Sequence, residues 1–272
     1  MSPSFALENE KTMTIIPPNR MKALLRSGES VAGTMLAEFR QPSVMQVLKN
    51  AGYDFATIDM EHGVFDYESV ADLSRFGRHI GITPLVRVPD KQYPYIARAL
   101  DVGAQGIMVP RLRSAEDVRE VVNVIKYPPF GERGCSLNRG HTDFHGGPLL
   151  ENMRAANEET LLIVQVETRG ALDAIEEIAS IAGVDALLIG PTDLSIDLGV
   201  AGQLDAPPLI EAINLTLAVC EQHGVAAGIQ ITNLEWLIHW AERGMRVLSA
   251  FSEVALLQRG GTSVTQELAR FR

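Results

Sequence analysis

Two acidic residues each close an apolar run. Glu167 follows Leu161–Val166, and Asp193 follows Ala186–Ile189 across Gly190-Pro191-Thr192. Between the runs, residues 171–182 place Leu172, Ile175, Ile178 and Ile181 at helical spacing, with Asp173, Glu176 and Glu177 on the opposite face. The pattern reads strand, helix, strand. A right-handed crossover makes such strands parallel, so both carboxylates emerge at the carboxyl-terminal edge of one sheet. Two carboxylates converging there repel each other, and a bound divalent cation relieves the repulsion. An oxygen-only ligand set favours magnesium or manganese, with cobalt or zinc as alternatives.

The elements that must position this pair alternate along the chain. Strands are predicted at Val31–Leu36, 55–58, 84–88, Gly106–Val109, Leu161–Val166, Ala186–Ile189, Ala226–Ile231 and 247–250. Helices are predicted over 19–26, Ser43–Asn50, Tyr67–Ile80, 93–104, 114–125, Leu149–Glu159, 208–222 and 234–243, with a last one over 254–271. Eight strand-helix units closing on themselves make an α/β fold, a (β/α)8 TIM barrel, whose functional groups project from the carboxyl ends of the strands. Asp59 and His62 follow the second strand, Arg87 lies on the third, Glu167 ends the fifth and Asp193 follows the sixth, so all face one rim. Residues 1–18 read as a loose extension before a single domain, 19–272. The glycine-rich stretch 127–147 reads as a long loop that serves as a lid, contacts a substrate, or is simply solvated. Its glycines argue against a helix that would pair His141 with His145 on a metal. Trp236 and Trp240, four apart, read as a packed helix face.

With 24 basic and 34 acidic residues the net charge is -10, which argues against non-specific binding to nucleic acid or an anionic membrane and for a small-molecule partner. Cys135 and Cys220 show no CxxC spacing, so two reduced thiols in a cytoplasmic protein are expected. No apolar run reaches the length of a membrane span, and the start carries no secretory pattern.

The motifs IDMEHG (58–63), LVRVP (85–89), ALDVGAQGIMVP (99–110), YPPFGERG (127–134), VQVET (164–168) and IGPTDLS (189–195) resemble, in order and spacing, the HpcH/HpaI family of metal-dependent class II pyruvate aldolases. The resemblance covers nearly the whole chain after residue 28. It implies that Glu167 and Asp193 bind the metal, that Arg87 binds the keto oxygen, and that His62, paired with Asp101, handles protons. Gln165 and the segment Gly190, Pro191, Thr192 and Asp193 would contact a 2-oxo acid, with backbone N–H groups of 190–193 receiving its carboxylate. The partners implied are that acid and an aldehyde, and the assembly a homohexamer, a dimer of trimers exchanging the C-terminal helix. Where such aldolases read DGEHA and GPADLS this chain reads DMEHG and GPTDLS, which leaves the acid-base residues in place and adds the Thr192 hydroxyl. A related barrel acting on oxaloacetate or a CoA thioester is the enzymatic alternative, with Arg111, Arg113 and Arg133 as phosphate contacts. A non-catalytic binding barrel is the third.

Overall fold

The computed structural model describes residues 15–272. The elements follow in the order α1 (Arg20–Arg26), β1 (Val31–Leu36), α2 (Ser43–Asn50), β2 (Phe55–Asp59), α3 (Tyr67–Ile80), β3 (Thr83–Arg87), α4 (Tyr93–Val102), β4 (Gly106–Val109), α5 (Ala115–Ile125), α6 (Leu149–Glu159) and β5 (Leu161–Val166). The second half continues with α7 (Arg169–Asp173), α8 (Ile175–Ala179), β6 (Ala186–Ile189), α9 (Pro191–Asp197), α10 (Pro207–His223), β7 (Ala226–Ile231), α11 (Leu234–Ala241), β8 (Val247–Ser252) and α12 (Glu253–Leu268). The eight strands are parallel and close into a barrel in sequence order, β8 pairing back to β1. A parallel sheet is covered on both faces, so its strands are apolar throughout rather than alternating. Phe55, Leu85, Met108, Leu161, Ile163 and Leu188 fill the barrel, while Ile58, Val86, Ile107, Val164 and Leu187 meet the helices outside. Gly33 is required inside the barrel, because a Cβ there would fall 2.3 Å from the Phe55 ring.

Local signals set the helix starts. Side chains of Asn19, Asp66, Ser114, Asn233 and Ser252 each accept from the backbone N–H two residues into the helix that follows. The amphipathic stretch 171–182 is not one helix. It breaks at Ala174 into α7 and α8, since Ala174 sits at φ -100°, ψ 13°.

Met21 and Leu25 of α1 pack against the barrel filling, so α1 plugs the amino-terminal end. Lys22 Nζ donates to the Thr160 carbonyl at 2.7 Å and pairs with Asp185 at 2.9 Å. Lys126 Nζ donates to the Asn157 and Thr160 carbonyls at 2.5 and 3.3 Å. The expected loose extension 1–18 falls on residues outside the described region up to 14. Of the rest, Ile16 is buried against Tyr127 and Ala156, and the Pro18 carbonyl accepts from Gln105 Nε2 at 3.0 Å, so this part is packed. Trp236 and Trp240 form an edge-to-face pair with centroids 6.0 Å apart, Trp240 buried, as a packed face requires.

Candidate active site

Strands β2 and β3 run in register with Asp59 opposite Arg87, so the two side chains leave the sheet side by side. Arg87 Nε and Nη2 donate to Asp59 Oδ1 and Oδ2 at 2.8 and 2.6 Å, the bidentate fork that holds a guanidinium in one orientation. Asp59 Oδ1 also accepts from the backbone N–H groups of Glu61 and His62 at 3.1 and 3.4 Å, which folds the chain after β2 over the strand end. The remaining guanidinium nitrogen, Nη1, lies 3.3 Å from Glu61 Oε2. That oxygen is buried and accepts no hydrogen bond. Burial raises the Glu61 carboxyl, opposed by the charges of Arg87 and His62.

Glu167 leaves the end of β5 and is 4% exposed. Its Oε1 accepts from the Arg111 backbone N–H and its Oε2 from Gln165 Nε2, both at 2.6 Å. Arg111 holds φ at 59°, a left-handed conformation that aims this N–H at the carboxylate. Burial pushes the Glu167 carboxyl up to about 7; the Arg111 N–H opposes this, and the charges of Glu61 and Asp193 add to it. Asp193, in the first turn of α9, is thus near enough to act on Glu167 while itself exposed to solvent. Gly190 is buried where α9 begins, and a Cβ there would lie 2.8 Å from Gln165 Nε2 and 2.9 Å from Glu167 Oε2. Gln165 Oε1 is a second buried acceptor without a partner.

Four carboxylates, Asp59, Glu61, Glu167 and Asp193, therefore meet at this rim, and only Asp59 is fully neutralised by Arg87. The surplus negative charge, the buried unbonded oxygens and the oxygen-only donor set fit a hard divalent cation. Among the described residues no group of three or more His, Cys, Asp or Glu side chains is arranged to hold an ion. A cation on Glu167 and Asp193 would thus complete its shell with water or substrate oxygens.

His62 sits beside this cluster with its side chain 67% exposed and Nε2 3.8 Å from Glu61 Oε1. The expected His62–Asp101 pair does not form within the chain. Asp101 lies near the carboxyl end of α4, which leads down to the start of β4, so it belongs to the opposite, amino-terminal rim. There it accepts from Arg133 Nη2 at 2.6 Å, while its carbonyl meets His141 Nδ1 at 3.3 Å. The long segment after α5 lies on that same rim, held by Arg78, which donates to the Gly140 carbonyl at 2.6 Å and to Asp143 at 2.7 Å. It is therefore not a lid on its own barrel's site: Gly140, His141 and Thr142 are buried in a single 3-10 turn, while residues 143–147 lie exposed to solvent. Arg133, its side chain 2% exposed, is equally unavailable to a ligand at the carboxyl-terminal rim, which leaves Arg111 and Arg113 there. The backbone cradle of 190–193 is narrower than expected, because the Gly190 N–H is spent on the Val166 carbonyl at 3.1 Å and Pro191 has none. Thr192 and Asp193 keep N–H groups that helix geometry leaves without a partner.

The roles of Asp59 as clamp on Arg87 and of the Arg111 N–H escape sequence reasoning. The first could have been found, since Asp59 ends β2 at the level where Arg87 ends β3. The second has no sequence signal, because nothing marks a non-glycine residue for positive φ.

A family model described as HpcH/HpaI aldolase/citrate lyase matches residues 34–250. A hydroxypyruvate/pyruvate aldolase of Roseovarius nubinhibens is 34% identical over 256 residues, 94% of this chain and 98% of that protein. A 4-hydroxy-2-oxo-heptane-1,7-dioate aldolase of Escherichia coli is 30% identical over 253 residues, covering 93% and 95%. The crystal structure of an HpcH/HpaI aldolase from Desulfitobacterium hafniense superposes with a TM-score of 0.86 at 33% identity, covering 91% of this chain and 95% of the other.

Proposed function

The chain belongs to the HpcH/HpaI aldolase/citrate lyase family, and we propose that it is a carbon-carbon lyase that reversibly cleaves a 4-hydroxy-2-oxo acid to pyruvate and an aldehyde. The observation that carries this reading is that the paired strands β5 and β6 bring Glu167 and the start of the Asp193 helix together at one rim, where Arg87 is clamped by Asp59. Glu167 and Asp193 would hold magnesium or manganese. A bound cation would supply a Lewis acid for the keto oxygen.

The chain's own groups account for the rest. Arg87, fixed by Asp59, presents Nη1 to the keto oxygen and favours negative charge as it develops there, worth about 3 to 4 kcal/mol for one such donor. The N–H groups of Thr192 and Asp193 receive the substrate carboxylate, and Gln165 offers its unbonded Oε1 to a substrate or water donor. His62 takes the proton of the C4 hydroxyl as the C3–C4 bond breaks. The bond electrons pass to the C2–C3 enolate, the aldehyde departs, and a proton returned to C3 completes pyruvate.

Asp101 can reach a His62 only from a neighbouring chain, and we place it there, in a dimer of trimers. Support for an assembly comes from α12, which leaves Leu257, Val264 and Leu268 exposed, and from a groove of about 750 Å³ lined by α2 and α12; we propose that α12 is exchanged between subunits. No helix of the described residues is long and apolar enough to cross a membrane. With Cys135 and Cys220 both free, the cytoplasm is the compartment we propose.

The test is NMR of pyruvate in deuterated buffer with magnesium or low manganese, repeated after chelation. Metal-dependent loss of the methyl proton signal, abolished in Arg87→Ala and Asp193→Ala, is expected. Persistence of the signal in the metal-loaded wild type would overturn the reading.

A further inference from the structure

The terminal helix begins with a buried charge that the reaction does not use. Glu253, the first residue of α12, is 4% exposed. Its carboxylate accepts from three consecutive backbone N–H groups at the end of β1: Ala37 at 2.9 Å, Glu38 at 2.6 Å and Phe39 at 3.0 Å. A carboxylate at the first position of a helix is favoured by the helix dipole, and burial is tolerated because donors surround it. The loop it gathers touches the catalytic segment. The Ala37 carbonyl accepts from the Val64 N–H at 3.0 Å. At Gly63 the contact is so close that a Cβ would fall 3.0 Å from the Ala37 carbonyl oxygen and 2.2 Å from that of Asp59. The backbone of residues 61–64 is thus held from two sides, by Asp59 through the Glu61 and His62 N–H groups and by Glu253 through Ala37.

The junction behind Glu253 is equally constrained. Phe251 holds φ at 60°, and its carbonyl accepts from Gln230 Nε2 at 2.9 Å and Thr34 Oγ1 at 3.4 Å. Ser252 caps α12 through the Ala255 N–H at 3.3 Å. Backbone in a sparsely populated region persists only where its surroundings fix it. The start of α12 therefore has one position relative to β1 and β7, while most of the helix beyond it lies exposed.

We propose that Glu253 is a positioning residue for His62: the docking of α12 sets the loop 37–39, and that loop sets the segment that carries the base. The inference rests on the proposed aldolase reading and extends it, by making the terminal helix part of the active-site framework. Pyruvate itself is expected on the other side of the site, over Arg87, Glu167 and Asp193, so loss of Glu253 separates proton handling from keto-acid binding.

The experiment compares wild type, Glu253→Gln and Glu253→Asp in the metal-loaded full chain, using pyruvate with glycolaldehyde, glyceraldehyde and propionaldehyde as acceptors. Melting temperature and oligomeric mass are recorded beside kcat and the KM for pyruvate. Glu253→Gln, which keeps one acceptor oxygen but turns an amide N–H₂ toward the backbone donors, is expected to lower kcat at least tenfold with the KM for pyruvate within threefold. Glu253→Asp, which keeps the charge but withdraws it by one methylene, moves kcat in the same direction and keeps the chain folded should Gln not do so. Equal kcat in folded wild type and variant, or a parallel change in kcat and KM, would overturn the positioning role. Wild type that exchanges pyruvate protons but condenses with none of the acceptors removes the role given to His62, and this proposal with it. Wild type that shows no exchange overturns the aldolase reading itself.

Discussion

The two ends of the barrel both bury charge, and they treat it in opposite ways. At the amino-terminal end, Lys22 is matched by Asp185 and the Thr160 carbonyl, Lys126 by two carbonyls, and Asn19 by the Gln105 and Glu159 carbonyls. The nitrogens left over at that end, on Arg78, Arg133 and His141, line a cavity of about 30 Å³, room for a water and no substrate. At the carboxyl-terminal end, carboxylates outnumber their partners, and buried oxygens of Glu61 and Gln165 are left unbonded. At the amino-terminal end acids and bases lie within reach of one another, whereas at the carboxyl-terminal end acid is in excess, an arrangement that a cation would relieve. The same chemistry thus fastens one end and leaves surplus negative charge at the other.

The largest expected effect comes from removing the imbalance. Glu167→Gln should lower aldol turnover by about a thousandfold or more, the scale of losing a principal charge-stabilising group, while leaving the chelated protein at least as stable as wild type at pH 8. A matching loss of stability, read from denaturant melts, would break the comparison. Lys22→Met should do the reverse: it leaves Asp185 partly buried without its cation, costs about 3 kcal/mol of stability, and spares pyruvate exchange in the protein that remains folded.

The pH response sharpens the contrast with a smaller effect. Glu167 has its folded carboxyl raised to about 7, so its contribution is present below the unfolded value and is lost as pH rises toward and through 7. In chelator this is worth up to about 3 kcal/mol. Added magnesium should offset the loss, and Glu167→Gln should remove it. Burial lowers Lys126 to about 8, the neighbouring Lys22 adding to the shift, so folding disfavours its ammonium and stability from this group rises between about pH 8 and the unfolded value. Lys126→Met should flatten that upper limb alone. Melts across pH 5 to 10 in wild type and both variants read the two slopes separately, and a falling limb that neither magnesium nor Glu167→Gln removes would break the comparison.

The eight strands and the rim on which Glu167, Asp193, Arg87, Asp59 and His62 lie were legible in the sequence, because strand runs and crossover handedness are local or nearly so. Apolar runs, caps such as Asn19, Asp66 and Ser114, and turn glycines act over a few residues, and alternating strands and helices leave few topologies open. The same periodicity placed a single helix over 171–182, where Ala174 in fact breaks it, since a hydrophobic stripe continues across a kink without a mark.

What tertiary structure alone decided is which groups share a space. Asp101 reads as a plausible partner for His62 until α4 carries it to the far rim, a separation set by helix direction and not by distance along the chain. The stretch 127–147 reads as a candidate lid until it follows α5 to the same rim and binds Arg78. Strand register paired Asp59 with Arg87, a positive φ at Arg111 turned an N–H onto Glu167, and Glu253 reached back across 216 residues to the Ala37 N–H. Composition and periodicity specify elements because those forces are local. Ion pairs, burial and the excess of carboxylates at one rim arise only when the barrel closes and brings distant strand ends within a few ångströms of one another.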